Sequence, residues 1–205
     1  MARASLVAAL LVGLVGATPA SAGIVYDEAV SGDLSNDGLN PTSISLEVGS
    51  NQIFGVYGLE NVSDIDPDYF TVTIPAGHQL VALVELAGTQ VGSAVAFFAI
   101  QAGSQVTLFP SPPDATGLLG WTHFGPTAVD VDILPAIGQG ELGATGFVPP
   151  LPAGDYALWV QDTGPGNSSY GFDLVVAAVP EPGVAALLLA ICASLARART
   201  RCSQG

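Results

Sequence analysis

Phe70-Thr71-Val72-Thr73-Ile74-Pro75-Ala76-Gly77 sets the fold class. Phe70, Val72 and Ile74 alternate with threonines, a period of two that turns one face of an extended chain inward and the other to water. Pro-Ala-Gly then ends the run in a turn. The same alternation recurs at Ile44, Leu46 and Val48, at Tyr156, Leu158 and Val160, and at Tyr170, Phe172, Leu174 and Val176. Turn clusters stand between these runs: Asp37-Gly38, Val48-Gly49-Ser50-Asn51 and Pro152-Ala153-Gly154-Asp155. Leu80 to Leu86 and Ala94 to Ile100 are more continuously apolar, which predicts central strands. Roughly eight short strands separated by turns predict an all-β fold, an antiparallel β-sandwich or jelly roll. No stretch before Pro180 carries a helical stripe, and the Pro- and Gly-rich segment from Phe109 to Pro152 predicts a long loop excursion with one or two strands.

The charge distribution narrows the function classes. The chain has 205 residues, a length that suggests one domain with appendages, and only four basic residues: Arg3, Arg197, Arg199 and Arg201. Seventeen of its eighteen acidic residues lie between Asp27 and Asp173, with no Lys or Arg among them to pair the carboxylates. Such a domain repels nucleic acid, whose phosphates need cationic partners. It cannot hold anionic lipid or phosphorylated ligands through Lys or Arg. Divalent cations or cationic partners are its natural complement, although an acidic surface also serves solubility alone.

Both ends of the chain carry addresses. Met1-Ala2-Arg3, the apolar run Leu6–Val15 and the small-x-small pattern Ala20-Ser21-Ala22 read as a secretory signal helix over residues 1–22, cleaved after Ala22. The run is too short to favour a retained anchor. At the other end, Pro180-Glu181-Pro182 precedes the apolar segment Val184–Ala196 and the basic cluster Arg197, Arg199 and Arg201. Motif, apolar helix and stop-transfer charges in this order resemble the PEP-CTERM sorting signal of Gram-negative bacteria, over residues 179–205. The resemblance implies cleavage by signal peptidase and an exosortase-type protease, and delivery to the cell surface or exopolysaccharide matrix. The membrane would be touched only through the tail before processing. Basic residues stay on the cytoplasmic side, so the domain would lie outside. An ordinary tail anchor would share this topology, and the apolar run is short for a full bilayer span at about 1.5 Å per residue. Cys192 and Cys202 both lie in this tail, which leaves the exported domain without disulfide, thiolate nucleophile or cysteine metal site.

A second resemblance covers residues 23–178. Tyr26-Asp27-Glu28, Gly32-Asp33-Leu34-Ser35, Asp66-Pro67-Asp68-Tyr69-Phe70 and Pro152-Ala153-Gly154-Asp155-Tyr156 are similar to the bacterial pre-peptidase C-terminal (PPC) domain, a β-sandwich appended to secreted peptidases. The resemblance implies a non-catalytic module, with relatives in bacterial collagenases that bind calcium and substrate. This chain carries no peptidase domain beside it.

Catalytic signatures are missing from the sequence. There is no Gly-x-Ser-x-Gly elbow and no zinc-type histidine pairing, and the two histidines, His78 and His123, sit in unrelated contexts. A secreted carboxylate-dependent hydrolase of glycosidase type is the alternative, since Asp and Glu are plentiful. The stronger candidate is Asp64-Ile65-Asp66-Pro67-Asp68, three carboxylates at alternate positions that project the same way on an extended segment. Hard cations such as Ca²⁺ want several oxygens at short range, whereas the bland reading is a solvated acidic turn. The PPC resemblance implies that Asp27, Glu28, Asp33 and Asp37 complete such a shell. Trp121, His123 and Phe124 offer an aromatic platform for a polysaccharide or surface-protein ligand, or else a loop anchor.

Overall fold

The computed structural model describes residues 22–61, 64–92, 95–108, 115–140, 143–162 and 166–180. The signal segment before Ala22, and the tail from Glu181 with Pro182, Arg197, Arg199 and Arg201, lie outside these residues, and so do both expected terminal helices. Along the described chain run β1 (Gly23–Asp27), α1 (Glu28–Ser31), β2 (Thr42–Ser45), β3 (Gly49–Asn61), β4 (Asp64–Asp66), β5 (Asp68–Ile74) and β6 (His78–Glu85). They are followed by β7 (Ala96–Ala102), β8 (Gly120–Phe124), α2 (Leu134–Gly138), β9 (Gly154–Asp162) and β10 (Gly166–Ala178). The fold is all-β. One sheet has the order β1-β3-β10-β6, with β4 also paired to β3, and the other β2-β5-β9-β7-β8.

The alternating runs become strands with the expected faces. Phe70, Val72 and Ile74 of β5 and Phe172, Leu174 and Val176 of β10 are buried. The two inner faces meet through edge-on aromatic contacts, Phe98 against Phe172 at 4.8 Å and Phe124 against Phe172 at 5.0 Å. Each such ring removed from water contributes about 1.5–3 kcal/mol. Phe124 thus belongs to the core rather than to a surface platform.

Three expectations change. The sheets are mixed, not purely antiparallel, because β1 pairs with β3 and β2 with β5 in parallel. The reason is the route of the chain. It alternates between sheets at its start, so each strand meets its next neighbour running the same way. Secondly, β6 ends its sheet instead of lying centrally. Its apolar run is explained by cover along the free edge, where Leu80 exchanges hydrogen bonds with Leu151, and Glu85 and Ile133 donate to Val131 and Leu83. Thirdly, the long excursion, together with the segment just before it, folds back over the outer face of the second sheet. There Val106 and Leu118 bury Tyr69, Ala99, Ala157 and Trp159 in a second cluster, which is why β9 is apolar on both faces. Among the described residues no helix is long and apolar enough to cross a membrane.

Candidate metal centre

The N-terminal segment crosses from the first sheet to the second between β1 and β2, and the candidate site lies in that crossing. Asp27 ends β1 and caps α1, its Oδ1 accepting from Ala29 N at 3.0 Å. The short side chain in extended backbone satisfies an otherwise orphaned helix donor. Gly32 then takes a positive φ of 94°, which lets the chain reverse, and Tyr26 Oη holds the reversal by donating to Gly32 O at 2.9 Å. Ser35 O accepts from Tyr69 N at 2.9 Å, which lashes the crossing to the start of β5.

This route brings together carboxylates distant in sequence. Oxygens of Glu28, Asp33 and Asp68 lie within 4.8 Å of one another. Glu28 is fixed by its own acceptors' duties, Oε1 taking Leu34 N at 2.8 Å and Oε2 taking Val56 N at 2.5 Å. Asp33 is exposed at the rim. Asp68 has no exposed surface, and neither carboxylate oxygen has a hydrogen-bond partner.

Electrostatics follow from that placement. Burial, then the charge of Glu28, pushes the Asp68 carboxyl up to about 9. The Tyr170 hydroxyl lies close enough to oppose part of that rise, yet it forms no hydrogen bond of good geometry with Asp68 and is itself unpartnered. Glu28 is raised by burial, against the two backbone N–H groups that favour its charge. Asp66 is raised by burial and by Asp33. Three carboxylates at this spacing cannot all stay ionised without compensation, and the segment from Ala4 to Ala196 holds no Lys or Arg. The compensating charge is therefore a proton or an added cation.

No family model, curated protein or solved structure matches this chain. The site thus stands on its own geometry.

Of the seven residues singled out in the sequence, three form the cluster: Glu28, Asp33 and Asp68. Asp66 lies beside them, half-buried, and its charge is felt at both Glu28 and Asp68. Asp27 serves as the helix cap. Asp37 turns away into its own loop, accepting from Leu39 N at 2.9 Å and Asn40 Nδ2 at 2.7 Å, bonds that lower its carboxyl below the usual value. Asp64 falls outside the described side chains.

One participant, Tyr170, escapes sequence reasoning. Tyr170 is almost wholly buried and points across its partner Gly55 toward the cluster. A Cβ at Gly55 would collide with the tyrosine ring and hydroxyl. The available signal was glycine at an inward position of a strand, between Ile53 and Tyr57. Apart from the cluster, Glu85 is also buried with both oxygens unpartnered, and desolvation pushes it up to about 7. The residues present suit a hard cation. Glu28, Asp33 and Asp68 would hold it, with Asp66 adding charge nearby, and calcium's tolerance of irregular oxygen shells matches ligands drawn from three separate elements.

Proposed function

We propose that this chain is an exported, non-catalytic β-sandwich module of the bacterial cell surface or exopolysaccharide matrix, its N-terminal crossing fastened by calcium. One observation carries the metal reading: Asp68, a fully buried carboxylate without a hydrogen-bond partner, faces two further carboxylates. An isolated buried charge costs several kcal/mol unless paired, and a cation held between Asp68, the half-buried Glu28 and the exposed Asp33 would supply that pairing. The address rests on residues 1–22 and on Pro180, Glu181, Pro182, Arg197, Arg199 and Arg201, read as signal and PEP-CTERM sorting tail. Processing partners would be signal peptidase and an exosortase-type protease. The missing nucleophile and zinc motifs support the module reading over the hydrolase, and the ligand class would be a polysaccharide or a surface protein.

Thermal melts of the purified protein with calcium and with excess chelator test the metal reading. Calcium at about 100 times its Kd should add about 2.7 kcal/mol, a rise of several degrees for a domain of this size. Magnesium should not match it. Asp37→Ala should leave the calcium shift intact, because that side chain sits in a separate turn. Identical melts in calcium and chelator would sink the proposal.

A further inference from the structure

A depression of about 300 Å³ opens on the outer face of the first sheet, beside the metal centre and sharing Glu28 and Tyr170 with it. Ala29, Phe54, Val56 and Ala87 form its apolar walls, and Asp27 and Glu28 stand at its edge. Its aromatic wall is built in. Gly171, paired with Phe54, has no side chain, and a Cβ there would lie 2.7 Å from Phe54 Cε1. The ring therefore settles into the notch beside Leu86 and shows its remaining surface to the depression. Val56 is 51% exposed and offers its apolar surface to the depression.

The charge is one-sided. Asp27 uses Oδ1 on Ala29 N, Glu28 accepts from Leu34 and Val56, and no Lys or Arg between Ala4 and Ala196 can answer either carboxylate. A second calcium ion, apart from the one that Glu28 would share with Asp33 and Asp68, does not suit these surroundings, since it needs oxygens on all sides and most of the walls here are carbon. A cationic head on an apolar stem does. We propose that this depression receives an arginine side chain from a partner protein, its stem along Phe54 and Val56 and its guanidinium at Asp27 and Glu28. Arginine fits better than lysine because the planar, weakly hydrated guanidinium stacks on an aromatic face and presents several donors to two carboxylates.

The test uses the purified full-length protein, labelled for amide NMR, in chelator and at physiological salt. Working in chelator keeps the outcome independent of the calcium reading. The probe is Nα-acetyl-arginine methylamide, with the norleucine analogue as an uncharged control of similar stem length. The arginine probe should give saturable shifts confined to the amides of Ala29, Val56, Ala87 and Gly88, and the norleucine probe none. Asp27→Asn should weaken binding up to about fivefold, the loss of one partly exposed charge contact. Asparagine still caps α1, so an unchanged melt shows that the fold survives. Phe54→Leu should weaken binding as well. Absent or unsaturable shifts, shifts spread over all acidic turns, equal binding of norleucine, or an Asp27→Asn variant that binds normally would each overturn the proposal.

Discussion

Asp68→Asn separates the two ways in which the acidic crossing can be neutralised. In the metal-free protein the Asp68 carboxyl rises from 3.8 to about 9, so the folded state holds a proton that the unfolded chain has released at neutral pH. A raised acid contributes full stability below pH 3.8, loses it as pH climbs, and loses no more above about 9. At 1.36 kcal/mol per unit, carrying that proton at pH 7 costs about 4 kcal/mol. Asparagine removes this cost but buries an amide whose own hydrogen bonds are incomplete, a penalty of about 1–3 kcal/mol. The net expectation in chelator at pH 7 is a gain of about 1–3 kcal/mol, or several degrees in Tm. In saturating calcium the order reverses, because the variant has lost a charged ligand while the wild type gains the binding energy. Melting curves of both proteins at pH 7, in chelator and in calcium, should therefore cross. A variant less stable than wild type in chelator, or one that keeps the whole calcium shift, would refute the reasoning about Asp68.

Two further outcomes follow from buried groups. Glu85 is raised from 4.5 to about 7, so its contribution is present below pH 4.5 and lost as pH rises to about 7. Glu85→Gln should flatten that decline and add up to about 3 kcal/mol at pH 8, seen as converging urea midpoints at pH 5 and diverging ones at pH 8. Gly55→Ala should destabilise by about 1–3 kcal/mol, because the new Cβ meets the Tyr170 ring and the two must shift apart. Tyr170→Leu in the same background should restore part of that loss, measured as a double-mutant cycle.

The strands were legible because alternation is written locally. Phe70, Val72 and Ile74 need no distant information to predict a buried face, and they are buried. Pairing direction was not legible. Nothing in Ile44-Ser45-Leu46 says that β2 will run parallel to β5, since that depends on which sheet the chain visits next. The apolar runs misled for a related reason. The continuous run Leu80–Leu86 reads as a central strand, but cover can come from the segments holding Asp132 and Leu151 as well as from neighbouring strands. At the candidate site, the sequence supplied the pool of acids but not the selection. Asp27, Glu28, Asp33 and Asp37 are equivalent in composition; a cap, a reversal at Gly32 and a separate turn at Asp37 decide which of them face Asp68. Tyr170 was hidden because its role depends on an atom that is absent, the Cβ of Gly55.

The position of the cluster gives the cation a structural task. Residues 23–45 donate one edge strand to each sheet, β1 to the first and β2 to the second. Glu28 and Asp33 lie between those two strands, and Asp68 belongs to the strand that β2 joins. Glu28 also ties the crossing to β3 through Val56 N. A cation shared by these carboxylates would therefore tie both sheet edges to one point. Without it, Asp68 is neutralised by a proton, and the cost of holding that proton falls where the N-terminal segment must lie down and weighs on both edge strands together. Edge strands are the elements with fewest neighbours to hold them, so they open at the lowest free energy. Calcium should thus protect the amides of β1 and β2 from hydrogen exchange more strongly than those of β9 or β10, which are flanked on both sides. Uniform protection across all strands would mean that the ion, if bound, acts on global unfolding alone and not on the crossing.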